Sequence, residues 1–216
     1  MKKLFLIAFG IIVALQVFPQ DQKAKEILEE VTRTLKSCNT IQADFVYTTE
    51  SQTENVSDEN HGQAILKGEK YKLELLSLGL EIFCDGKLIW SYMEDANEVS
   101  ITTVDDETTV MMNPARLFTI YQQGFTNRFV EEKNVDGVAV YIIDLLPDEE
   151  ESFEYEKIRI QIDKNHMLIR NALMVGHDGN NYIVKVENIK KNIPVDDKIF
   201  TFNKTNYPGV EEVDLR

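Results

Sequence analysis

The sequence predicts a β-rich α+β fold: one large antiparallel sheet of about ten or eleven strands, curved or barrel-like, with two or three helices. Three observations predict it. Short runs of alternating apolar and polar residues recur from residue 40 to residue 202, and such alternation marks a half-buried strand. Turn residues separate the runs at roughly regular spacing: Gly68-Glu69, Asp85-Gly86, Asn134-Val135-Asp136-Gly137, Lys164-Asn165 and Asp178-Gly179-Asn180. No repeat, linker or change of composition divides the chain, and a hydrophobic share of 43% is enough for a core.

The N-terminus comes before the fold proper. Lys2 and Lys3 precede an almost purely apolar run from Leu4 to Leu15, and charge resumes at Asp21. The run is too short for a spanning helix, which needs ~20 apolar residues. Residues 1–20 have the layout of a secretory signal peptide, with removal expected near Gln20, against the alternative of an uncleaved amphipathic anchor. No Cys follows the run directly, so lipidation of a new N-terminal Cys is not expected. No second run is long enough to span a membrane, and the mature chain is expected to be soluble. Roughly 196 residues then form a single domain over 21–216.

Residues 21–38 carry Ala24, Ile27, Leu28, Val31 and Leu35 at spacings that place them on one side of a helix with an acidic outer face. Strands are expected at 40–49, 62–67, 70–77, 80–84, 87–93 and 98–104, with a polar hairpin loop over 50–61. Asp85-Gly86 is the strongest hairpin signal of the chain. The pattern changes at 109–121, where Asn113 suits a cap and Pro114 the first turn of a short helix bearing Leu117, Phe118 and Tyr121. Strands resume at 127–133, 138–146, 155–163, 168–175, 181–192 and 199–202, and the acidic string 148–152 is a solvated loop.

Charge and cysteine usage narrow the function classes. There are 23 basic and 37 acidic residues, a net charge of −14 that becomes about −16 once Lys2 and Lys3 are lost. Such a surface opposes binding to nucleic acid and anionic lipid headgroups. It favours solubility, or a basic partner. Cys38 and Cys84 are permitted to pair in an exported protein, and two buried free thiols are the equal alternative. His61, His166 and His177 lie in expected turns or loops without metal-ligand spacing. Asp178-Gly179-Asn180 lacks the alternating oxygens and terminal Glu of a calcium loop. The chain has no GxSxG, P-loop or GxGxxG motif, and no base lies near Cys38 in sequence. We therefore expect no enzyme, metal or cofactor.

Apolar surplus is the positive signal. Leu73-Leu75-Leu76-Leu78-Leu80, Leu88-Ile89-Trp90 and Val140-Tyr141-Ile142-Ile143 put large apolar residues on both strand faces. A curved sheet can fill its concave side with its own side chains or leave a cavity under a lid. Met111 and Met112, beside Leu117, Phe118 and Tyr121, are the candidate lid, because methionine adapts to variable apolar partners. Phe45, Leu66, Leu73, Leu75, Leu80, Ile82, Trp90, Tyr92, Met111, Met112, Leu117, Phe118 and Tyr121 are the expected ligand-lining set.

Several segments, in order, resemble the periplasmic outer-membrane lipoprotein carriers, the LolA-like family: LKSCNTIQADF (35–45), GQAILKGEKYKLEL (62–75), CDGKLIWSYMEDANEVSI (84–101), NPARLF (113–118), VDGVAVYIIDLLP (135–147) and IRIQIDKNHMLIR (158–170). Asp85-Gly86 and Trp90-x-Tyr92 anchor the set. The resemblance implies an incomplete antiparallel β-barrel closed by lid helices over an apolar cavity. It implies a monomeric carrier that takes lipoprotein acyl chains from inner-membrane release machinery to an outer-membrane acceptor, without catalysis. Many members place an Arg-Pro near 67–69 whose Arg reaches the lid. Here Lys67-Gly68-Glu69 offers a point charge instead of a planar fork, so the closed state is expected to be held differently. Two rivals stand beside the carrier: a periplasmic sensor or protein-binding module on the same half-barrel, and a hydrolase whose site assembles only in space.

Overall fold

The structure is a computed structural model that describes residues 19–51, 53–54, 56–104, 121, 124–149 and 153–216. A single α-helix, α1 (Pro19–Lys36), stands among the described residues. It buries Ala24, Ile27, Leu28 and Val31 and packs Leu35 beside them, the stripe that the spacing of these residues dictates. Asp21 lies in its first turn and Arg33 and Lys36 in its last, each sign facing the favourable end of the helix dipole.

Twelve strands follow: β1 (Ile41–Ser51), β2 (Ser57–Lys67), β3 (Lys70–Leu75), β4 (Leu80–Cys84), β5 (Leu88–Met93), β6 (Glu98–Thr103), β7 (Phe125–Val135), β8 (Val138–Pro147), β9 (Tyr155–Asp163), β10 (Leu168–Gly176), β11 (Asn180–Lys191) and β12 (Glu211–Asp214). They form one open sheet in the order β12-β6-β5-β4-β3-β2-β1-β11-β10-β9-β8-β7. Two meanders, β1 to β6 and β7 to β11, are joined where β1 pairs with β11. Every pairing is antiparallel except β12 beside β6. The sheet does not close, since β12 and β7 are its two ends. Register shifts in β1/β11, β9/β10 and β7/β8 mark bulges, which bend strands and raise their twist. The architecture is an incomplete barrel with a helix on one side.

Turn chemistry fixes the register. Asp136 (φ 51°) and Gly137 (φ 81°) join β7 to β8 in a two-residue turn that needs two left-handed residues. In the β4/β5 turn, Asp85 Oδ1 accepts from the backbone N–H groups of Lys87 and Leu88, both at 2.9 Å.

Three expectations are corrected. The polar stretch 50–61 is not all loop: its last residues begin β2, which pairs with β1 from Glu50↔Ser57 onward. That arm of the hairpin is largely exposed, so no apolar alternation announces it. Residues 199–202 are not a strand. Asp197–Phe200 is a 3₁₀ turn capped by Asp196, whose side chain accepts from the Lys198 N–H. Its Phe200 is fully buried. The acidic β12 carries no apolar period and was not expected; it exists because β6 offers it a backbone edge.

Candidate functional site

The register sorts the side chains of the first meander onto two faces. On one face lie the rows Ile41↔Leu66↔Tyr71↔Cys84↔Ile89 and Ala43↔Ala64↔Leu73↔Ile82, then Phe45↔Gly62↔Leu75↔Leu80. Phe45, Tyr47, Ala64, Tyr71, Leu73, Leu75, Ile82, Cys84 and Ile89 form one buried cluster, with Leu66 and Leu80 half-buried beside it. Tyr182 and Val184 of β11 touch this cluster and also the second one, which lies under α1 on β7 to β10. The two clusters are therefore one apolar layer on the helix-bearing face. The helix packs mainly on β7 and β10, at the opposite end of the layer from Leu73 and Ile82.

Of the thirteen expected lining residues, the structure brings Phe45, Leu66, Leu73, Leu75, Leu80 and Ile82 together on this face. Tyr121 is buried on the same face but in the cluster under the helix. Trp90 and Tyr92 are corrected. Phe83↔Trp90 and Glu81↔Tyr92 are neighbours across β4 and β5, on the other side of the sheet from Ile82. There Tyr92, Val99 and Val210 form a separate cluster with Trp90, Phe202 and Tyr207. Leu88, Ile89 and Trp90 are apolar in succession, so the strand's own pattern carries no phase; only its pairing with β4 does. Met111, Met112, Leu117 and Phe118 lie outside the described residues. Tyr71, Ile89 and Tyr182 were missed as members of the layer, although the alternation of 41–47 could have been extended to them through the hairpins.

Few polar groups enter the layer. Burial pushes the Tyr71 hydroxyl well above its ordinary value and raises the Cys84 thiol, so Cys84 stays a protonated thiol. Cys38 and Cys84 are both unbridged. Tyr155 and Tyr182 meet edge to face, with ring centres 6.0 Å apart. Burial pushes the Tyr155 hydroxyl up to about 12, while the Tyr182 hydroxyl donates to Asp178 Oδ2 at 2.5 Å. Among the described residues no group of three or more His, Cys, Asp or Glu is placed to hold a metal. The arrangement offers apolar area and a few phenols, with no described trio of nucleophile, base and orienting group.

The opposite face carries an aromatic cluster. Phe202 lies 5.8 Å from Phe83 and 6.1 Å from Tyr92, and Tyr207 stacks on Phe202 at 4.5 Å. The segment after β11 thus plugs the aromatic side of β4 and β5. Lys67 and Lys70 both bind Asp197 of this segment, at 2.5 and 2.8 Å. The lysine standing where relatives were expected to carry an arginine therefore ties the C-terminal segment to the β2/β3 hairpin.

The family model described as "Outer membrane lipoprotein carrier protein LolA" matches residues 36–203. The chain belongs to the LolA family. No curated protein matches it. An uncharacterized conserved protein from Thermus thermophilus is 16% identical, with a TM-score of 0.60 over 89% of this chain and 99% of its own. A DUF1329 family protein from Desulfovibrio piger is 10% identical, with a TM-score of 0.50 over 84% of this chain and 97% of its own. At these identities the likeness is one of fold. The LolA description is that of a carrier rather than a catalyst, and no described helix is long and apolar enough to cross a membrane.

Proposed function

We propose that this LolA-family protein is a periplasmic carrier that holds lipoprotein acyl chains against its helix-bearing face and ferries them from the inner to the outer membrane. Export would be directed by a signal peptide that is then removed near Gln20. The observation that carries this reading is the continuous apolar layer from Leu66, Leu73 and Ile82 across Phe45 and Val184 to the cluster under α1. Acyl chains gain ~0.8 kcal/mol for each methylene taken from water, so such a layer is a sufficient binding principle without catalysis or cofactor. The carrier acts as a monomer between inner-membrane release machinery and an outer-membrane acceptor. Its surplus of acidic residues, 37 against 23 basic, suits docking to basic surfaces on those partners.

The test is titration of the mature protein with a fluorescent fatty-acyl probe, beside native mass spectrometry and lipid extraction of protein purified from the periplasm. We expect bound diacyl or triacyl species and saturable probe uptake. Leu80→Glu, at a half-buried position of the layer, should weaken uptake about tenfold or more (~1.4 kcal/mol) with the circular dichroism unchanged. Trp90→Ala, on the other face, should lower stability by about 2 kcal/mol and leave uptake intact. A clean apo mass with no probe uptake would sink the carrier and bring a protein-binding module forward.

A further inference from the structure

One polar atom stands apart in the apolar layer. Among the described residues, Asn127 Oδ1 is the buried side-chain oxygen or nitrogen without a hydrogen-bond partner. Buried acceptors are almost always satisfied, so a fixed exception calls for a donor. Asn127 lies on β7 between Phe125 and Phe129, both of which pack in the cluster under α1. Its cross-strand neighbour is the fully buried Leu145. Asn127 is therefore on the helix-bearing face.

The amide cannot turn to hide its oxygen. Asn127 Nδ2 donates to the Tyr121 carbonyl at 3.3 Å; reversal would set oxygen against oxygen. Tyr121 is itself pinned. Its hydroxyl donates to the Leu28 carbonyl of α1 at 2.8 Å. That uses its single hydrogen, so it accepts from the Thr32 hydroxyl. Helix α1 thereby holds Tyr121, and Tyr121 holds Asn127 with its acceptor end unfilled. Among the described residues β7 pairs only with β8 and ends the sheet, and α1 packs across it.

We propose that Asn127 Oδ1 is the polar anchor of the ligand site and accepts a hydrogen bond from the N–H of an amide-linked acyl chain. The proposal rests on the carrier reading and adds a selection to it. An ester-linked chain brings only acceptors to this position and leaves the oxygen unpaired. An amide-linked chain satisfies it.

The test uses the mature full-length protein and three ligands with the same dodecanoyl chain: N-dodecanoylglycine methyl ester, its N-methyl derivative and the ester analogue O-dodecanoylglycolic acid methyl ester. Each competes against a bound fluorescent fatty-acyl probe. The secondary amide should bind about tenfold tighter than the other two, which lack the N–H (one hydrogen bond). In Asn127→Leu, or in Asn127→Val should the leucine not fold, the ratio should fall to about one with the ester's affinity unchanged or raised. Equal affinities in the wild type, as expected if water fills the site, overturn the proposal, and so does a preference that survives both variants. If the probe itself does not bind, the carrier reading fails with it, and that result is distinct from probe binding without amide preference.

Discussion

Gly62 shows how narrowly the apolar layer is built. It sits opposite Phe45 across β1 and β2 and next to Leu75 on β3. A Cβ there would fall 2.5 Å from the Glu74 carbonyl oxygen and collide with the Phe45 ring. The absent side chain is what lets the aromatic ring lie across the sheet. Gly62→Ala should cost about 1–3 kcal/mol through overpacking, read as a lowered denaturation midpoint. An unchanged midpoint would mean that Phe45 has room to move. Asp144 is a second residue with a determined fate. It is fully buried on β8 and is gripped by Arg159 at 2.6 and 2.8 Å and by Arg128 at 3.2 Å, from the two neighbouring strands. Burial works to raise its pKa, but the hydrogen bonds from Arg159 and Arg128 outweigh it, and the carboxyl is held below its ordinary value.

At the scale of elements, the segment from Asp196 to Asp214 does what a missing closing strand would otherwise do. It crosses the aromatic side of β4 and β5, inserts Phe200, Phe202 and Tyr207, and ends as β12 beside β6. Phe202 touches three other rings, so Phe202→Ala should destabilise by about 2–3 kcal/mol. Uptake of an acyl probe should survive, because the segment lies on the face away from α1. If Phe202→Ala abolished uptake at temperatures where it remains folded, the two faces would not be independent. This is also where sequence reading ran out. The strands at 80–84 and 155–163 fall where alternation puts them. The 3₁₀ turn at 197–200 and the acidic β12 depend on what β4, β5 and β6 leave uncovered, which no local pattern records. The candidate site was legible in kind, through its apolar surplus, but only half in phase. Leu73 stands between the polar Lys72 and Glu74, whereas Trp90 follows Leu88 and Ile89 without a break.

At the scale of the molecule, several carboxyls share the behaviour of Asp144. Hydrogen bonds from Lys67 and Lys70 draw Asp197 down to about 2. In Asp163, burial works upward, yet hydrogen bonds from His166 and Asn165 leave the net shift downward. A carboxyl held below its unfolded value, about 3.9 for Asp, binds fewer protons folded than unfolded. The stability it adds is complete above that value and is lost as pH falls through the folded one. The melting temperature should therefore be level near neutrality and fall steeply below about pH 4. Asp144→Asn should start lower and show a shallower acid slope. A parallel slope would mean that Asp144 titrates normally.

The parallel seat of β12 also has a consequence in time. Any chain that emerges from its N-terminus onward presents β6 long before residues 211–214 arrive to pair with it. In that interval β6 is an open template, and the rings of Trp90 and Tyr92 face water. An unguarded edge beside exposed aromatics invites pairing between nascent copies. The order of emergence therefore makes this molecule most vulnerable just before it is whole, and residues 196–214 act as the clasp that ends the exposure.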